Sequence, residues 1–94
     1  METYGADRNA VVTSGNSSAT VVNLAAARRG RCGVLLYNSS TQVLYVKLGA
    51  AASATDYTYP MASNTSWEVP FGYTGLITGV WASANGSVKV TEVF

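Results

Sequence analysis

FGYTGLITGVWASANGSVKVTEVF, Phe71–Phe94, is the stretch whose reading decides the fold of this 94-residue chain. Leu76–Ser83 is apolar on both faces, as a strand covered from both sides must be. Gly79 inside it marks a bulge or a close backbone approach. Ser87–Phe94 alternates instead, with Val88 and Val90 toward the core and Lys89 and Thr91 opposite. Between them, Asn85-Gly86 fits a two-residue type I′ turn, which needs positive φ at both central positions. The stretch therefore predicts a hairpin of two strands.

The same grammar extends upstream. Ser18–Leu24, Cys32–Asn38, Val43–Leu48 and Ser66–Pro70 read as strands on their β-branched and alternating content. Tyr57–Ala62 alternates too, but Pro60 confines it to an edge or a bulge. Ala25–Arg31 favours helix by composition, and Gly30 stops it after barely one turn, too short for a stable helix. The expected architecture is all-β, a small antiparallel β-sandwich or jelly-roll-like domain of seven or eight short strands with no substantial helix. Residues 1–16 read as an N-terminal arm or irregular lead-in, and 17–94 as a single β-sandwich domain.

Composition narrows the function. Charged residues are 12% of the chain, half the usual globular share, while 48% is hydrophobic. A net charge of +1 gives no general attraction to nucleic acid or to an anionic membrane. No apolar run approaches a membrane span, and METYGADRNAVV lacks the apolar segment of a secretory signal, so a cytosolic origin is expected. On that ground the sequons at Asn16, Asn38, Asn64 and Asn85 are read as chance. By size scaling, a chain this short buries only about 64% of its unfolded surface, so partner subunits would help it.

Catalysis finds little material. Histidine is absent, which removes the usual general base and the Ser-His-Asp and Cys-His pairs. Of five carboxylates, only Asp56 and Glu68 lie in neighbouring segments, and nothing else supports a glycosidase pairing. No zinc or calcium ligand spacing and no phosphate-binding glycine loop occurs, so no catalytic, metal or cofactor site is expected. Cys32 stands alone and reads as a small core residue.

Two groups remain as candidate protein-interface residues. Arg28, Arg29 and Arg31 are the only local concentration of charge, suited to docking on acidic side chains or to guarding a sheet edge. Tyr57 and Tyr59 flank the edge-strand proline and suit a contact surface, whereas Trp67 and Trp81 read as core.

The order of motifs over Asn38–Phe94 resembles a short β module recurring in tailed-bacteriophage virion proteins. The elements are Asn38-Ser39-Ser40, Leu44–Gly49 (LYVKLG), Ala52–Thr58, Trp67–Pro70 (WEVP), Tyr73–Ala84 with Gly86, and Thr91-Glu92. The resemblance covers about two-thirds of the chain, and its order and spacing carry it. It implies a structural virion component without catalytic residues: a capsid decoration (cement) protein bound to the major capsid protein as a trimer or dimer. Such a protein is made in the host cytoplasm and ends on the capsid surface. The alternatives are a neck, tail or fibre-associated module, or a module binding host-surface glycan.

Overall fold

The computed structural model describes residues 10–16, as backbone, and 20–94. Eight strands follow one another: β1 (Ala10–Asn16), β2 (Val22–Ala25), β3 (Gly33–Ser39), β4 (Leu44–Lys47), β5 (Tyr59–Met61), β6 (Ser66–Glu68), β7 (Ile77–Trp81) and β8 (Ser87–Val93). They form two four-stranded sheets, ordered β1-β8-β3-β6 and β2-β7-β4-β5, with every pairing antiparallel. Within the sheets β1 meets β8, β2 meets β7, β3 meets β6 and β4 meets β5. This nested pairing is a jelly roll.

The inner faces follow from strand alternation. Val34 and Leu36 of β3, Val88 and Val90 of β8, Leu44 and Val46 of β4, and Ile77 and Trp81 of β7 interlock as the core with Met61 and Val69. β7 is central in its sheet, as its two-sided apolar character predicts. Gly79 proves to be a close approach. A Cβ there would lie 2.7 Å from Leu24 Cδ1 and 3.0 Å from Leu44 Cδ1. The bulge belongs to the partner strand, where the register shifts between Asn23 and Ala25. Pro60 sits on β5, an edge strand, where a missing N–H costs the sheet least.

Three sequence expectations need correction. First, β7 and β8 do not form a hairpin. They belong to different sheets, and residues 82–86 carry the chain across the sandwich. Asn85 has no positive φ, so the turn is not type I′. Gly86 does have one (φ +86°), and a Cβ on it would fall 2.7 Å from both Ser39 O and Ser40 Cα. The glycine is needed to press the crossing against the β3–β4 turn. Secondly, Ala10–Asn16 is not irregular lead-in. It is a strand in seven-residue register with β8, which would otherwise leave its backbone groups on a bare edge. Residues 1–9 of the expected arm lie outside the described residues. Thirdly, Cys32 is only half-buried and stands outside the core, just before β3.

The two outer faces differ. Over the second sheet, the loop from Gly49 to Asp56 folds back on β7. Ala52 N–H donates to Thr78 Oγ1 (3.1 Å), and that hydroxyl donates to Gly49 O (2.6 Å). Thr78 and Ala52 are consequently buried. Over the first sheet, Leu35 and Tyr37 point outward from β3 and stay 45% and 38% exposed.

Replacing Gly86 by Ala forces both an unfavourable φ and a backbone clash, so a loss of about 2 kcal/mol or more is expected. Urea unfolding should show a lower midpoint with an unchanged slope. An unchanged midpoint would mean that the crossing has room to move.

Candidate functional site

β3 is held at both ends by a buried polar side chain. Just before its start, Arg31 is 2% exposed, although its sequence suggests a surface residue. All five of its N–H groups are engaged. Nε donates to Tyr73 O (3.3 Å), and Nη2 donates to Tyr73 O (3.2 Å) and Gly75 O (2.7 Å). Nη1 donates to Ala26 O (3.0 Å) and to Glu92 Oε2 (2.8 Å). Glu92 follows Val88 and Val90 on the inner face of β8, so the alternation itself carries a carboxylate into the interior. Arg31 thus joins the first sheet, through Glu92, to the carbonyls that lead into β7 and out of β2.

At the far end of β3, Asn38 is fully buried. Its Nδ2 donates to Gln42 O (2.8 Å), Met61 O (3.1 Å) and Ala62 O (3.3 Å). Its Oδ1 accepts from Ser40 Oγ (2.7 Å), Ser40 N (3.2 Å) and Trp81 Nε1 (3.2 Å). Asn38 therefore stitches the β3–β4 turn to β5 and β7 across the core. The side-chain amide that a sequon would present is consumed inside the fold. Among the described residues, no buried side-chain polar atom lacks a partner.

These two anchors redraw the expected interface. Arg28, Arg29 and Arg31 do not form one basic patch, because Arg31 is a core residue paired to Glu92. Arg28 is half-exposed; its guanidinium lies 4.6 Å above the Phe94 ring centre, and Nη1 is 3.6 Å from Glu92 Oε1. Arg29 is exposed on the turn that ends at Gly30. The tyrosines also separate. Tyr57, 41% exposed, packs against Tyr45 with ring centres 4.9 Å apart, on the side away from the core residues Leu44 and Val46. Tyr59 pairs in register with Val46, on the inner phase, and stacks on Trp67 at 4.7 Å with 4° between the planes. Since β5 and β6 are edge strands of different sheets, this stack closes one seam of the sandwich. Trp81 is core, and Trp67 is partly buried against it.

The exposed surface that the sequence reading missed is the outer face of the first sheet. Leu35 and Tyr37 lie there beside Thr91, Lys89, Glu68 and Ser66, their register partners on β8 and β6. Phe71, 72% exposed, leans over Gly33 at the same end as Val93. The signal was available. In the run VLLY, alternation gives two residues to the core and leaves the other two, both large and apolar, outside.

Asp56 and Glu68 do not converge. Asp56 is bound to Lys47 Nζ (2.6 Å) beside the second sheet, whereas Glu68 belongs to the first. Among the described residues, no three His, Cys, Asp or Glu side chains gather into a metal-binding group. In comparisons with known proteins, no family model, curated protein or solved structure matches the chain.

Removing one partner of a buried, hydrogen-bonded ion pair typically costs about 3–5 kcal/mol. Arg31→Ala is expected to reach that range or to prevent folding, whereas Arg29→Ala should stay within about 0.5 kcal/mol. Denaturant unfolding of the two variants side by side checks the assignment. Equal effects would mean that Arg31 is a surface residue after all. Asn38→Ala should likewise cost about 2–3 kcal/mol, because its removal strands the indole N–H of Trp81 and takes one donor from each of three carbonyls.

Proposed function

We propose that this protein is a bacteriophage virion structural component, a capsid decoration protein that docks on the assembled head shell through the outer face of its first sheet. The observation that carries this reading is the contrast between the two outer faces. On the second sheet a loop covers Thr78 and leaves Tyr57 exposed beside Tyr45, while the first presents Leu35, Tyr37 and Phe71 to solvent. Exposed large apolar side chains grouped on one face mark a contact surface more often than isolated ones do. The resemblance of Asn38–Phe94 to virion β modules supports the same reading. Jelly rolls occur in viral capsid proteins, though also in lectins and enzymes, so the fold adds an analogy only.

The chemistry is that of contact. Arg31, Glu92 and Asn38 are committed to internal bonds. On the docking face, each subunit would contribute a small apolar area with Glu68 and Lys89 beside it. One such contact is weak, and shell symmetry repeats it many times. Clamping neighbouring shell subunits in this way stiffens the head against the pressure of packaged DNA.

Co-sedimentation with expanded shells and with unexpanded procapsids tests the proposal. Saturable binding to expanded shells is expected. The double variant Leu35→Glu, Tyr37→Ser should weaken binding at least tenfold, about 1.4 kcal/mol, while its unfolding midpoint stays near that of the parent. Absence of binding to either particle would refute the decoration role. Label confined to one vertex of intact virions would assign the protein to the neck, tail or fibre instead. Saturable signal on a glycan array would favour the Tyr45–Tyr57 pair as a sugar platform.

A further inference from the structure

The two sheets end in four edge strands, and three of them are blunted. β5 and β6 are three residues long, β5 carries Pro60, and β6 ends on Glu68. β2 has four residues and a register shift between Asn23 and Ala25. Short length, proline, charge and bulges are the devices that keep a sheet edge from pairing with another chain. β1 has none of them. It runs for seven residues, AVVTSGN, without proline or charge, and its register with β8 is unbroken. Among the described residues, no strand pairs with its outer side.

The phase of the hydrogen bonds fixes which backbone groups this edge presents. Asn38 N–H donates to Thr65 O and Val69 N–H to Val34 O, so the even residues of β3 bond toward β6 and the odd ones toward β8. Through the β3–β8 register, Ser87, Lys89, Thr91 and Val93 then bond β3, and Val88, Val90 and Glu92 bond β1. Their partners on β1 are Gly15, Thr13 and Val11. The N–H and C=O groups of Ala10, Val12, Ser14 and Asn16 therefore point away from the sheet. An antiparallel copy of the same row matches it at every position, because Ala10 and Asn16, like Val12 and Ser14, lie symmetrically about Thr13.

We propose that β1 pairs with β1 of a second copy about a two-fold axis at Thr13, joining the two first sheets into one continuous sheet. Ala10 then faces the partner's Asn16 and Val12 faces the partner's Ser14, each pair exchanging two N–H···O bonds, while Thr13 faces the partner's Thr13 in a pair without them. Every outward group is used, and a shifted register would leave some unpaired. The interface is isologous, so it closes at two copies. Its axis stands perpendicular to the sheet, so Leu35, Tyr37 and Phe71 of both copies look the same way and stay uncovered. The pairing stands whether or not the protein binds a shell.

Sedimentation equilibrium of the full chain is expected to show a mass that rises with concentration from 9.8 kDa toward twice that. Val12→Pro removes an outward N–H and no bond to β8, so it should weaken association at least tenfold while the far-UV circular dichroism stays that of the parent. In a Cys32→Ser background, Thr13→Cys places two thiols in a pair whose Cα atoms are about 4.5 Å apart, within reach of a disulfide. Asn16→Cys leaves them about 20 Å apart. Mild oxidation should therefore cross-link the first variant and not the second. If Val12→Pro loses the fold, the cross-linking comparison decides alone. A mass of 9.8 kDa at every concentration would overturn the proposal. Association unchanged in a folded Val12→Pro, or equal cross-linking at the two positions, would overturn it too.

Discussion

A carboxylate carried into a protein core by strand alternation must find a cation or the strand cannot stay. Glu92 is that carboxylate, and Arg31 meets it at 2.8 Å. Desolvating both charges is expensive, and their attraction alone does not always offset it. Here the remaining guanidinium N–H groups are absorbed by the carbonyls of Ala26, Tyr73 and Gly75. Those carbonyls belong to the end of β2 and to the approach to β7, both in the second sheet. The pair thus sets how the two sheets are placed at one end, since each of its partners is a backbone group with a fixed position.

Asn38 performs the equivalent task at the other end of β3 without a charge. An amide supplies donors and an acceptor at once, so it can serve Trp81, Ser40 and three carbonyls together. Between the two anchors the core is aliphatic and carries no direction of its own. Apolar packing would tolerate small rotations of one sheet over the other, whereas hydrogen bonds of fixed geometry at both ends do not. Polar side chains buried in this way are unavailable to ligands.

Much of this was legible in the sequence. Alternation identified Val88 and Val90 as core, Trp81 read as core by its bulk, and Pro60 confined its segment to an edge or a bulge, the edge being what the sheet shows. What alternation does not reveal is which strand a strand pairs with. Asn85-Gly86 between two β-branched runs is locally indistinguishable from a hairpin turn, and only the close approach of Gly86 to Ser39 and Ser40 shows why the chain crosses between layers there. Arg31 was grouped with Arg28 and Arg29 because adjacency in sequence looks like adjacency in space. The contrary clue lay at the other end of the chain, where Glu92 shares the phase of Val88 and Val90 and so demands a buried cation. Tyr57 and Tyr59 were paired for the same reason, yet one rests on Tyr45 and the other seals a seam with Trp67.

The nested strand order also governs how the molecule can be assembled. β7 and β8, last in sequence, are interior strands of the second and first sheets respectively. Without them only the β3–β6 and β4–β5 pairs survive, each a two-stranded ribbon of three paired residues and far below independent stability. Arg31 would meanwhile wait for a carboxylate 61 positions downstream. A ribosome extending this chain therefore gains almost no native structure until β7 emerges to complete the second sheet, and none of the first sheet's centre until β8 follows. The fold then closes through contacts between residues far apart in sequence, the class of topology that folds slowly. Until that moment the apolar strands are bare, and such a chain depends on rapid closure, or on a chaperone, to stay out of aggregates.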